Sequence, residues 1–285
     1  MTPLRQRMLE DLQIRGRAVN TQRSYIEKIK HFAEHFGESP ERLGPEEIRE
    51  YQVYLVNFKR DSRSQLAQFV AAARFLYGVT LQRKWAIASL PYPKSPRKLP
   101  TVLSEQEVKQ LLESVINIKH RAILMTLYSA GLRVAEVCEL RVTDIDSGRM
   151  VIRVDQGKGA KDRYVQLSET LLHQLREYWK KFRPQHCLFL GRRGRPITTR
   201  HVYRVCVDAG LTAGIRKTTN PHCLRHSIAT HMLERGTNIL EIQAFLGHSS
   251  LSSTAKYLHL MGGKSRTSIN PLDAIMGERR EEQDV

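Results

Sequence analysis

The sequence predicts a mainly α protein in two domains, with a small antiparallel β-sheet confined to the second. Three observations predict it. The 285 residues exceed the usual size of one domain. Helical spacing of apolar residues recurs through nearly the whole chain, and period-two alternation occurs in one place only. A proline-rich stretch, PYPKSPRKLP, separates the two parts.

Residues 1–90 are predicted all-helical. NTQRSYIEKIKHFAEHFG aligns Tyr25, Ile29, Phe32 and Phe36 at helical spacing, with Asn20 as the expected N-cap and Gly37 as the stop. LGPEEIREYQVYLVNF places Pro45 in a first turn, followed by acids that suit a helix N-terminus. SQLAQFVAAARFLYGV is a third, more apolar helix.

Residues 91–102 form a basic linker, because four prolines in ten residues cannot continue a helix. Lys94, Arg97 and Lys98 fit a phosphate backbone or plain solvation equally well. Residues 103–285 make the second domain. Ser104 and Glu107 form an S-x-x-E capping box, and HRAILMTLYSAG is a buried helix ending at Gly131. GRMVIRVDQGKGAKDRYVQL reads as a hairpin. Helices are expected near 168–182, 198–211, 221–235, 238–246 and 251–258.

The formal net charge is +17. Lys and Arg outnumber Asp and Glu by 18 to 10 in residues 1–98 and by 28 to 19 in 99–285, so both halves are basic. That distribution favours two lobes gripping one polyanion over a neutral domain with a basic tail. The four cysteines lie far apart without a CxxC pair, which disfavours a zinc site or a disulfide framework and fits a reducing cytoplasm. The N-terminus lacks an apolar signal core, and no apolar run approaches the ~18 residues of a bilayer span. The expected polyanion is therefore nucleic acid, with no membrane partner.

Three islands carry chemistry: GLRVAEVCEL, QGKGAKDR, and HCLRHSIATHML with IQAFLGHSSLSSTAKYLHL. They supply Arg133, Lys158, His222, Arg225, His248 and Tyr257, that is, two guanidiniums, an ammonium, two imidazoles and a phenol. None is a carboxylate suited to magnesium, so a metal-dependent nuclease is disfavoured and no cofactor is expected. Cleaving a phosphodiester without a metal needs a nucleophile, stabilisation of charge on phosphorus, and a proton for the leaving oxygen. The phenol can attack, but with a pKa near 10 it is only ~0.1% ionised at pH 7 and needs an acceptor or a positive potential. Arginine forks suit phosphate oxygens, lysine can protonate a leaving oxygen, and histidine can move a proton.

These islands resemble those of the tyrosine recombinase (phage integrase) family, of the simple two-domain, Xer-like type. The G-L-R-x-x-E-x-x-x-L helix is matched from Gly131 to Leu140, and the G-K-G-x-K-x-R hairpin from Gly157 to Arg163. The H-x-L-R-H box is matched at His222, Leu224, Arg225 and His226, and L-G-H-S at Leu246 to Ser249. Tyr257 follows nine residues after His248, with His259 two further on. The resemblance is strong over about residues 100–260 and looser before them. Lys158 competes with Lys161 for the hairpin role. His222 and Arg225 lie three apart on one helical face, so both can meet one phosphate.

The resemblance implies a helical, SAM-like core-binding domain over 1–90 and a catalytic domain over 103–285, together a C-shaped clamp on duplex DNA. It implies transesterification through a 3′-phosphotyrosyl intermediate, without metal or ATP. Tyr257 is then the nucleophile, Arg133, Arg225 and His248 bind the phosphate, Lys158 protonates the leaving oxygen and His222 acts as acid/base near the tyrosine. Paired inverted-repeat sites, a homotetramer on DNA (a monomer or dimer when free) and a cytoplasmic, nucleoid-associated location are further implications. DNA integration, excision or resolution, possibly by a mobile element, is the expected role, with type IB topoisomerase-like relaxation or a catalytically silent architectural protein as alternatives. His226 is expected to be a structural hydrogen-bonding residue, His231 to lie under or beside the fold, and Glu136 to be an internal partner of nearby groups. Arg163, Lys161, Lys256 and Arg200 are further phosphate contacts or else solvated charges. The segment around SINPLDAIMG is expected to dock on a neighbouring subunit.

Overall fold

The structure is a computed structural model that describes residues 2–59, 62–83, 85, 90–93, 100–155 and 162–258. The chain separates into two compact units, Met1–Lys98 and Leu99–Val285.

Among its described residues the first unit has helices as its only regular structure. Helix α1 spans Pro3–Ile14, α2 Val19–Phe36, α3 Pro45–Asn57 and α4 Arg63–Phe75, the last continued by a π-helical segment, Leu76–Thr80. Helix α1 has no counterpart among the predicted helices. Its sequence is polar overall and buries only Met8 and Leu12 within the helix, so its apolar signal is thin. Helix α2 begins one residue before Asn20, which therefore sits inside the first turn and does not cap it. Gly37 closes α2 at φ 67°, a left-handed conformation that glycine adopts without penalty. Pro45 opens α3, where its missing N–H costs no helical bond. The core is aromatic: the Phe32 ring lies 5.2 Å from Tyr51 and 5.4 Å from Phe69, all three buried. Each such side chain contributes about 1.5–3 kcal/mol by leaving water.

The second unit packs eight helices and a three-stranded sheet among its described residues. Helix α5 spans Glu105–Glu113, α6 Ile118–Ser129, α7 Val134–Glu139, α8 Glu169–Phe182, α9 Thr199–Thr212, α10 Pro221–Glu234, α11 Ile239–Leu246 and α12 Ser252–Ala255. The Ser104–Glu107 capping box starts α5, with the two reciprocal bonds at 3.1 and 2.7 Å. Helix α6 buries Ala122, Ile123, Leu124, Thr126 and Leu127, as expected of a helix apolar around most of its surface. Helix α12 is a single turn, shorter than the predicted 251–258 segment.

The predicted hairpin is strands β2 (Val151–Val154) and β3 (Arg163–Gln166), antiparallel with Ile152 opposite Val165. A two-residue strand β1, Ile145–Asp146, adds to the β2 edge. Its brevity left no alternation to read in the sequence. The hairpin tip, and Lys158 and Lys161 with it, lies outside the described residues, as do part of the linker, His259 and the SINPLDAIMG segment. No helix of the described residues is long and apolar enough to cross a membrane.

Candidate active site

Four local features bring the predicted site residues together. The turn between α6 and α7 carries Gly131 and Arg133, α10 carries His222 and Arg225, the α11–α12 corner carries His248, and Tyr257 follows α12. Gly131 makes the first close approach possible. It has φ 57°, and a Cβ there would lie 2.6 Å from Phe245 Cε1 and 3.2 Å from Leu246 Cδ2. Only glycine lets this turn lie against the end of α11.

The two arginines grip that corner. Arg133 Nη2 donates to the Gly247 carbonyl at 3.0 Å, and Arg225 Nη2 donates to the Leu246 carbonyl. Arg225 Nη1 donates to the Gly131 carbonyl, which ties α10 to the α6–α7 turn. Arg225 is 3% exposed, and these bonds engage two of its five N–H donors. Burial, with Arg133 nearby, draws its guanidinium down to about 10, so it stays cationic at neutral pH.

Glu136 supports this cluster from below. Its Oε2 accepts the Arg133 backbone N–H at 2.7 Å, and its Oε1 accepts Arg133 Nη1 at 2.7 Å. Arg163 donates through Nη1 and Nη2, both at 2.9 Å, and Arg225 stands 3.9 Å away. Burial alone would raise the carboxyl, but the Arg163 and Arg133 bonds outweigh it and hold Glu136 near 2. Arg163 also donates through Nε to the Phe245 carbonyl, so it is a partly buried partner of this network and not a solvated charge. Its side chain passes so close to Gly247 that a Cβ there would meet Arg163 Cδ at 2.9 Å.

His248 follows Gly247, the left-handed cap of α11, and its Nδ1 pairs with Thr254 Oγ1 at 2.9 Å. Burial and the charges of Arg225, Lys256, Arg133 and Arg163 lower it to about 4, so the ring is neutral at pH 7. His222 stands in the first turn of α10, open to solvent on one side; desolvation on its inner side and the charges of Arg225, Lys256 and Arg133 lower its pKa.

Tyr257 is 1% exposed, its ring packed with Ala229, Leu233, Ile242 and Leu246. Burial pushes its hydroxyl up to about 12, with Arg225 opposing. The hydrogen-bond partner of that hydroxyl is His226 Nδ1 at 2.9 Å, not His222. Lys256 places its ammonium 5.1 Å from the Tyr257 ring centroid. His231 is buried elsewhere, between the Tyr128 hydroxyl at 2.8 Å and the Leu103 carbonyl at 2.9 Å.

Five of the six predicted residues thus converge; the sixth, Lys158, lies outside the described residues. Sequence reasoning missed the place of His226 against the phenol. The signal available was its spacing, four residues after His222 on one face of α10.

The arrangement is a cationic, partly buried cluster beside a phenol, suited to an anionic centre and a nucleophilic oxygen. Comparison with known proteins gives a family for it. Residues 101–262 match the phage integrase family, and residues 4–87 match the phage integrase N-terminal SAM-like domain. The putative integrase/recombinase y4qK of Sinorhizobium fredii is 49% identical over 277 residues, covering 96% of this chain and 90% of that protein. The tyrosine recombinase XerD of Staphylococcus epidermidis is 32% identical over 272 residues, covering 88% and 92%. Among solved structures, XerA recombinase aligns with a TM-score of 0.54 at 29% identity, covering 99% of this chain and 98% of that one. A lambda integrase dimer bound to a core site aligns at 0.72 with 17% identity, covering 88% and 95%, which supports the fold alone.

Proposed function

The chain belongs to the phage integrase family and is a site-specific DNA recombinase of the tyrosine, Xer-like type, and we propose that Tyr257 is its nucleophile. Its oxygen attacks the scissile phosphorus, a Tyr–O–P bond forms, and the P–O5′ bond breaks. The product is a 3′-phosphotyrosyl link and a 5′ hydroxyl. One phosphodiester replaces another, so the bond energy is kept and religation to a second strand needs neither ATP nor a metal.

Arg133, Arg225 and His248 stabilise the charge that develops on phosphorus. Lys158 protonates the departing 5′ oxygen, and His222 serves as acid/base on the tyrosine side. The observation that carries this reading is the convergence of Arg133 and Arg225 on the Leu246–Gly247 carbonyls, with His248 and Tyr257 within the same electrostatic cluster. At 1% exposure the phenol is closed off in this conformation, so attack requires the side chains that cover its hydroxyl to open when DNA binds. The partner is DNA. We propose duplex sites built as paired inverted repeats, gripped by both basic units and assembled as a tetramer, in the bacterial cytoplasm. Salt-sensitive binding follows from the phosphate contacts.

The test is to trap covalent protein–DNA adducts in the host by rapid denaturation, beside Tyr257→Phe, and to sequence the attached DNA. The expected result is adducts that require Tyr257 and map to one short inverted repeat. Adducts spread over the genome would indicate topoisomerase behaviour, and none from either protein, with DNA binding intact, would overturn the nucleophile assignment.

A further inference from the structure

Three restraints fix Tyr257. Its ring is caged by side chains of α10 and α11. Its backbone N–H donates to the Thr254 carbonyl at 2.9 Å, and Thr254 is tied in turn to His248. Its hydroxyl makes one hydrogen bond among the described residues, to His226 Nδ1. The cage and the backbone locate the ring, but a ring in an apolar cage can still swing about its side-chain bonds. The direction of the oxygen is set by the one polar contact at its end.

We propose that His226 is a positioning residue for the nucleophile: its Nδ1 accepts the Tyr257 hydroxyl and aims the phenol oxygen before DNA arrives. This rests on the reading of Tyr257 as the attacking group. The chemistry of the pair supports the direction of the bond. His226 is partly buried, and it faces Lys256 beyond α12, His222 and Arg225 from its own helix and His248 from the α11–α12 corner. Burial and those charges hold the imidazole down to about 3, so it is neutral and can accept. Burial holds the phenol up at about 12, so the phenol keeps its proton and donates. We therefore assign the Nε2–H tautomer to His226. The hydroxyl pairs with His226 and not with His222, whose ring centroid lies 6.5 Å from that of His226.

The same pairing means that the resting nucleophile is un-ionised. A neutral imidazole this far below a phenol this high does not remove its proton. Ionisation waits for the phosphate to arrive and for the proton to move to another group. Until then His226 holds geometry, which is the kind of contribution that a small misplacement of the oxygen would forfeit.

The experiment is a single-turnover time course of phosphotyrosyl adduct formation on sheared genomic DNA of the host, over a range of DNA concentrations. Wild type is compared with His226→Leu, His226→Asn and His226→Gln, each checked by thermal melting. Asparagine puts an acceptor where Nδ1 stands, whereas glutamine carries it one bond further out. We expect His226→Leu to be roughly 10- to 100-fold slower at saturating DNA with half-saturation unchanged. We expect Asn to recover most of the rate and Gln to recover little. Equal rates for Asn and Gln would overturn the proposal even if the leucine variant failed to fold. A leucine variant that folds and reacts at or above the wild-type rate would overturn it as well. No adduct from wild type itself would remove the assignment of Tyr257, and the inference would fall with it.

Discussion

Replacing Glu136 by alanine tests how the arginine cluster is held. The carboxylate is 8% exposed and accepts four hydrogen bonds, two from Arg133 and two from Arg163, with Arg225 at 3.9 Å. Three guanidiniums share this one buried anion. Removing it leaves them facing one another in a partly dry site with no counter-charge. Breaking a buried pair from one side costs about 3–5 kcal/mol. For a domain of this size that lowers Tm by about 6–20 °C. Glu136→Gln keeps the volume and one carbonyl acceptor, and should fall between. The pH dependence has a definite sign. The folded carboxyl is depressed to about 2 from an ordinary 4.5, so its contribution is present above 4.5 and is lost as pH falls from there to about 2. The assay is calorimetric melting of the full chain at pH 7, with Arg163→Leu and the double variant Glu136→Ala/Arg163→Leu. The double variant should cost less than the sum of its parts, because each single change strands the other group. A Tm shift under about 2 °C for Glu136→Ala, or strict additivity in the cycle, would refute the reasoning.

Two further outcomes follow from the same geometry. Gly131→Ala must adopt φ 57° and place a Cβ 2.6 Å from Phe245, so it should lower stability by about 1–3 kcal/mol in a melting experiment and slow adduct formation by displacing Arg133 from the Gly247 carbonyl. His226 and His248 are depressed to about 3 and about 4 from 6.5, so they contribute stability that is complete above 6.5 and is lost as pH falls toward those values; Tm should decline over that window, and less steeply in His248→Asn.

Much of this protein was legible in linear order because its signals are local. Capping at Ser104, the stop at Gly37, Pro45 at the head of its helix and the β2–β3 alternation depend on residues within a turn or two of one another. The order and spacing of the G-L-R, H-x-L-R-H, L-G-H-S and tyrosine boxes likewise survive in a string of letters, and they carried the family. Helix α1, strand β1 and the shortness of α12 were not legible, because thin apolar faces and two- to four-residue elements take their stability from neighbours. Contacts between side chains far apart in sequence are a different kind of information. Arg163 and Glu136 are 27 residues apart, and His226 and Tyr257 are 31 apart. Whether such groups meet depends on how helices pack, which no periodicity encodes. The sequence by itself therefore determined the two basic, mostly helical parts and the set of groups able to work on a phosphate. The tertiary structure alone decided which imidazole touches the phenol, which arginine props the buried carboxylate, and that the phenol rests shut away from solvent.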